Sequence, residues 1–160
     1  MEVTDAFPTT SYLAWQFSTI IAGRLERALR EENLTLAQHN ALLHAERTPG
    51  LSVADIARRS DITAQSMGAA VNQLVERALL RREPHPTSRR SMRLFPTEEG
   101  CATAARAFAI SQRIDVETTS VLSHGERAAM HQLLYRLVDD LNPASLADGA
   151  EATAGSGKAG

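Results

Sequence analysis

The sequence predicts a mainly α fold with one small β-hairpin, and three observations predict it. Capping residues mark helix starts at intervals along the chain, a basic Pro-containing segment interrupts the helical pattern once, and apolar stripes at helical spacing lie near both ends. A chain of 160 residues suits one domain and can bury a genuine core. At 43% apolar and 22% charged, its composition is that of an ordinary globular protein.

Six helices are expected, near 10–31, 36–47, 52–59, 63–78, 97–119 and 123–142. The first carries Leu13, Phe17, Ile20, Ile21, Leu25 and Leu29 on one stripe. Thr35-Leu36-Ala37-Gln38 has capping-box spacing and opens the second, which stops at Pro49-Gly50. Ser52-Val53-Ala54-Asp55, a shorter variant of the box, opens the third. Thr63 caps the fourth, with Ile62 and Met67 at the positions of a hydrophobic staple. Leu79 to Glu83 and Ser91 to Phe95 then pair as two strands across Pro84-His85-Pro86-Thr87-Ser88, where prolines that cannot donate to a ladder belong in the loop. Thr97, followed by Glu98 and Glu99 at the positive end of the dipole, opens the fifth helix. Ser123-His124-Gly125-Glu126 opens the sixth, striped by Met130, Leu133, Leu134, Leu137, Val138 and Leu141 and stopped at Asn142-Pro143. Residues 1–9 read as a flexible N-terminus and 143–160 as a disordered tail, its end rich in Ala, Gly and Ser without apolar periodicity.

The net charge of −2 argues by itself against a polyanionic partner, but its distribution does not. Between Ser52 and Phe95 there are eight arginines against four acids, a local +4, while the remainder is net −6. A basic segment in an acidic body orients the molecule towards a polyanion. No apolar run reaches the roughly 20 residues of a membrane span, and residues 1–10 lack the pattern of a signal peptide. One cysteine, Cys101, allows no internal disulfide, which fits a cytoplasmic protein.

The fourth helix carries the functional reading. Met67, Ala70, Val71, Leu74 and Ala78 fall on one side, which should pack on the preceding helix. The opposite stripe holds Gln65, Ala69, Asn72 and Glu76, flanked by Ser66, Gly68 and Gln73, and is small, polar and uncharged until Glu76. A surface helix without a binding task would usually carry Lys and Glu there. Gln and Asn can bond bidentately to adenine, Ser to several base edges, and an Ala methyl can meet a thymine methyl. Gly68 costs about 1 kcal/mol relative to Ala inside a helix, which close approach of phosphate or of another helix would rationalise. Arg89 and Arg90 at the hairpin tip suit a narrow minor groove, and Arg82, Thr87 and Ser88 suit phosphate contacts. The candidate DNA-binding set is therefore Thr63, Gln65, Ser66, Ala69, Asn72, Gln73, Arg82, Thr87, Ser88, Arg89 and Arg90, and the expected partner is double-stranded DNA.

From Leu34 to Leu141 the chain resembles the MarR (multiple antibiotic resistance) family of transcriptional regulators. The resemblance rests on Leu51-Ser52-Val53-Ala54-Asp55-Ile56-Ala57, on Leu74-Val75-Glu76-Arg77-Ala78-Leu79-Leu80-Arg81-Arg82, on the hairpin and on Thr97-Glu98-Glu99-Gly100. It implies a winged helix-turn-helix with N- and C-terminal dimerisation helices: a DNA-binding lobe over 34–96 and dimerisation helices over 10–31 and 97–142. It implies a homodimeric repressor on a pseudo-palindromic operator, relieved by a small effector. Where the family commonly has Asp-Pro-x-Asp-Arg-Arg in its wing, this chain has His85-Pro86-Thr87-Ser88-Arg89-Arg90, and its usual Arg-Gly is Arg77-Ala78. Ala64, Ala69 and Gln73 replace basic residues common on the recognition helix, which shifts reliance to the wing.

The family's effector pocket tends to lie between the dimer helices and the DNA-binding lobe. Tyr12, Trp15, His39 and His44 are the residues expected near it, offering aromatic area with polar handles to a small aromatic or lipophilic effector. Cys101, at the start of the fifth helix, is expected to be a packing residue rather than a redox sensor. The sequence shows no catalytic constellation, no metal-ligand spacing and no cofactor motif, so no enzyme, metal or cofactor is expected. The alternative reading is a winged-helix protein-interaction module without DNA binding, favoured by the uncharged recognition face.

Overall fold

The computed structural model describes residues 8–88 and 91–147. Among them the order is α1 (Thr10–Leu29), α2 (Leu36–Arg47), α3 (Val53–Arg59), α4 (Ala64–Glu76), β1 (Leu80–Pro84), β2 (Met92–Pro96), α5 (Glu98–Thr118) and α6 (His124–Leu141). Short 3-10 turns follow α1 at Arg30–Glu32 and α6 at Pro143–Ser145. No helix among the described residues is long and apolar enough to cross a membrane.

The caps sit where the sequence marks them. The side chains of Thr35, Ser52, Thr63, Thr97 and Ser123 each accept a backbone N–H from three residues on, and those of Thr35, Ser52 and Ser123 complete reciprocal boxes. Such a cap contributes about 1 kcal/mol by satisfying donors the helix cannot. Burial works to raise the Asp55 pKa, but hydrogen bonds from Ser52 and Arg58 outweigh it and hold the carboxyl below its usual value.

Leu42, Ile56, Met67, Leu74, Leu80 and Leu94 are fully buried and tie α2, α3, α4 and the hairpin into one core, which Leu29 of α1 and Ala107 and Ile110 of α5 extend. Burial of each large side chain stabilises the fold by about 1.5–3 kcal/mol. The joint between α1 and α2 is braced from two sides. Arg77 donates to the carbonyls of Asn33 (2.8 Å) and Glu32 (3.3 Å), and Arg106 of α5 donates to the Glu32 carboxylate at 2.9 Å.

The hairpin corrects the sequence reading by one residue. Pro84 is not in the loop but ends β1, paired with Met92, and Pro96 ends β2 opposite Leu80. His85 N–H donates to the Ser91 carbonyl and Thr97 N–H to the Leu79 carbonyl, so the hydrogen-bonded pairs are those that bracket the prolines. Both prolines thus fall at positions where no ladder donor is needed. On its other edge β2 meets the chain before α3, with Leu94 N–H bonded to Leu51 and Gly50 N–H to Leu94.

Ala78 is also corrected. It does not extend the buried face of α4 but lies exposed beyond the helix end, at φ +55. Asn33 and Asp61, the other non-glycine residues at positive φ among the described residues, are types that tolerate that region, whereas alanine does not. Ala78→Gly should therefore stabilise the protein by about 0.5–1 kcal/mol, read as a Tm rise of about 2–4 °C. An unchanged or lower Tm would show that the turn is not left-handed.

The sequence pattern from 143 onwards lacks any sign of order, yet its first residues fold back on α3. Asn142 Nδ2 donates to the carbonyls of Arg58 and Arg59, and Arg59 donates to the carbonyl of Ala147 at 2.9 Å. Residues 148–160 and 1–7 lie outside the described residues.

Candidate nucleic-acid interface

The turn from α3 to α4 sets the reading helix. Ile62 N–H donates to the Ala57 carbonyl, Asp61 takes the left-handed conformation, and Thr63 caps α4. Met67, Ala70, Val71 and Leu74 are buried, as the periodicity requires, which leaves Gln65, Ser66, Ala69, Asn72 and Gln73 on the far side. Thr63 donates its hydroxyl to Ser66 Oγ at 2.9 Å, so the first turn presents a linked pair of hydroxyls. The Gln65 side chain has no hydrogen-bond partner among the described residues. Gly68 is not explained by helix packing: a Cβ there would meet only Val53 Cγ1, at an ordinary 3.9 Å.

Two amides of the stripe are engaged from within the protein. Arg82 of β1 donates to Asn72 Oδ1 at 2.5 Å, so a guanidinium lies against a helix that carries no cation of its own. Gln38, buried at the start of α2, donates to Gln73 Oε1 at 2.6 Å. Sequence reasoning missed Gln38. Its place in the capping box is visible, but a partner 35 residues away is not.

The arginines divide by their surroundings. Arg59 is buried and donates to Thr48 Oγ1 at 3.1 Å as well as to Ala147, and Arg77 is spent on the Asn33 and Glu32 carbonyls. Arg81 and Arg93 each lie over the Phe95 ring, 4.9 Å from its centroid, and Arg81 also pairs with Glu83. Arg58 pairs with Asp55. The local +4 is therefore not all presented on one face. In the wing, Thr87 N–H donates to His85 Nδ1 at 3.3 Å and its hydroxyl lies 3.2 Å from the same nitrogen. Ser88 lines an open cleft of about 450 Å³ with Ser52, Val53, Ala54, Arg82, Ser91 and Met92. Arg89 and Arg90, expected at the wing tip, lie outside the described residues.

The expected effector residues fall into two groups. Tyr12 and Trp15 are exposed neighbours on α1, ring centroids 6.0 Å apart. His39 is buried, its Nε2 3.0 Å from Ser111 Oγ of α5 and its Nδ1 without a hydrogen-bond partner among the described residues. His44 is half-buried. A cavity of about 280 Å³ between α2 and α5 is lined instead by Leu43, Glu46, Arg47, Ala104, Ala105 and Phe108. Cys101 is exposed, not packed, which corrects the expectation for it.

Burial, with the nearby charges of Arg59, Arg47 and His39, pushes the His44 pKa down to about 4, and burial lowers that of His39. Between pH 4 and the ordinary 6.5 the unfolded chain thus binds more protons than the folded one. Stability is complete above pH 6.5 and falls as the pH drops towards 4, by about 1–2 kcal/mol for His44 once its partial exposure is discounted. Urea midpoints measured across this range should decline, and His44→Gln should flatten the decline. An equally steep curve in the variant would assign the dependence elsewhere.

A sequence profile described as the MarR family matches residues 32–91. The HTH-type transcriptional repressor Rv2887 of Mycobacterium tuberculosis is 27% identical over 140 residues, 88% of this chain and 100% of that one. A protein of Thauera aromatica, named for transcriptional regulation of its hcr operon, is 33% identical over 117 residues, 72% of this chain and 70% of that one. The crystal structure of Rv2887 with salicylic acid superposes with TM-score 0.71 at 27% identity, covering 84% of this chain and 98% of that one. Its complex with DNA gives 0.71 at 25%, covering 83% and 98%. With 72% of the chain aligned at 33% identity and 84% of it superposed on a MarR-family structure, the chain belongs to the MarR family.

Proposed function

We propose that the protein is a sequence-specific, DNA-binding transcriptional repressor, working as a homodimer on a pseudo-palindromic operator and released by a small effector. The observation that carries it is the outer stripe of α4, uncharged from Gln65 to Gln73, with the Arg82 guanidinium laid against it. Such a surface can enter a major groove while the wing holds the neighbouring backbone. Thr63, Gln65, Ser66, Ala69, Asn72 and Gln73 form the reading edge, with Arg82, Thr87, Ser88, Arg89 and Arg90 as the flanking contacts. A relative in complexes with DNA and with salicylic acid supports both halves of the proposal. For the effector we retain Tyr12, Trp15, His39 and His44 as candidate contacts.

Homodimerisation is supported by α6, which has no buried residue and exposes Leu133, Leu134, Leu137 and Leu141, and by exposed Leu13, Trp15 and Ile20 on α1. On this reading residues 34–96 form the lobe for DNA, and the helices within 10–31 and 97–142 serve dimerisation.

The test is binding to a selected operator at several salt concentrations. The log–log slope should be steep, with about −0.9 contributed per neutralised phosphate. Gln65→Ala should leave that slope unchanged and relax the base preference at one position per half-site, by about tenfold. Salt-independent binding would favour the protein-interaction module instead.

A further inference from the structure

The hydrogen bonds around α4 fix which end of each amide faces outwards. The backbone N–H of Thr35 can only donate, so the Gln38 atom 2.9 Å from it is the carbonyl oxygen. The amide nitrogen of Gln38 therefore faces Gln73 and donates across 2.6 Å, and the Gln73 atom that receives it is Oε1. Gln38 is only 4% exposed, so its end of this chain of bonds is shielded from water. Asn72 is set in the same way. A guanidinium has no acceptor, so the 2.5 Å contact from Arg82 turns Oδ1 of Asn72 towards the wing.

Both amides thus turn their carbonyls to the protein and keep their NH2 groups for what lies outside. The bidentate bond to adenine needs a donor for N7 and an acceptor for the N6 amino group. With their carbonyls turned inwards, Asn72 and Gln73 are not poised for that pair, contrary to the expectation from residue type. Their NH2 groups match N7 and O6 of guanine, O4 of thymine and, through a single bond, N7 of adenine, whereas cytosine would meet a donor with a donor. Gln65, without a partner among the described residues, remains able to turn either way.

We propose that Gln38, although buried behind the reading surface, is a positioning residue that sets base preference: it holds Gln73 as a hydrogen-bond donor, as Arg82 holds Asn72, so that α4 selects acceptor edges. This rests on the assignment of α4 as the DNA-reading helix.

The experiment is selection from a pool of randomised duplex DNA by the full-length protein, followed by sequencing of the retained fragments. It compares the wild type with Gln38→Glu and Gln73→Glu. A carboxylate at position 38 still accepts the Thr35 N–H but cannot donate, so Gln73 turns its NH2 inwards and shows its carbonyl. A carboxylate at position 73 accepts from Gln38 with one oxygen and presents the other, reaching the same polarity from an exposed position that leaves the core intact. Both variants should move the preference at one base pair per half-site from guanine or thymine towards cytosine, the base with no major-groove acceptor, by about tenfold or more, with the rest of the motif retained. If both instead bind every sequence more weakly with the motif unchanged, Gln38 is merely structural and the proposal is overturned. A wild type that enriches no motif would remove the DNA-reading assignment itself, a distinguishable result.

Discussion

Gly100→Ala is expected to destabilise the protein by about 3 kcal/mol or more, a Tm loss near 10 °C. A Cβ at this position would overlap the Leu79 carbonyl oxygen and lie 2.9 Å from its carbon. Neither side can readily yield. Leu79 is held by its own N–H on the Leu74 carbonyl at 2.8 Å, and its carbonyl takes the Thr97 N–H at 3.1 Å. Thr97 is fixed in turn by its hydroxyl bond to the Ala78 carbonyl at 2.7 Å, and it caps α5 through the Gly100 N–H at 3.0 Å. The first turn of α5 is thereby clamped directly onto the joint between α4 and β1. Gly125→Ala is the matched control: it too lies in the first turn of a helix, but nothing approaches its added methyl within 4 Å. That variant should melt at or slightly above the wild type. If the two variants melt together, the close approach of α5 to Leu79 does not exist in solution.

The same clamp shows what can be read in the sequence. Thr97 as a cap is legible because capping is local: a hydroxyl, a helix start and acids in the first turn lie within four residues. So are Thr35, Ser52, Thr63 and Ser123, and so is the inward face of α4, which a 3.6-residue period dictates. The need for glycine at position 100 is legible only as a motif, since the carbonyl that excludes a side chain belongs to Leu79. The arginines mark the boundary most clearly. Counting charges between Ser52 and Phe95 treats all eight alike, but Arg59 and Arg77 are consumed by backbone carbonyls and Arg81 and Arg93 by Phe95. Conversely, α4 has no cation in its own sequence, and the hairpin supplies one through Arg82. Charge is a property of composition, whereas its presentation depends on tertiary partners that no local pattern encodes.

The double substitution Leu134→Glu with Leu137→Glu should convert the proposed dimer to monomer and weaken operator binding by about 10²–10⁴. Positions three apart on a helix share a face, and here both side chains are about half exposed in the single chain, 45% and 57%. With Val138 and Leu141 they form an apolar surface larger than scattered exposure accounts for, on a helix whose C-terminal end is pinned to α3 through Asn142. A helix so held cannot swing to bury that face against its own α5 without breaking these bonds. A second copy can cover it, and two carboxylates placed in the seam would then lose hydration without gaining partners. Because the substituted positions are exposed in the single chain, its own core is unaffected and its Tm becomes independent of concentration. Sedimentation should report half the wild-type mass, and affinity for a single half-site should stay within a few-fold of the wild type. That last comparison separates the loss of two tied recognition helices from damage to either one. A variant that keeps the dimeric mass would show that the dimer seam does not run through this face of α6.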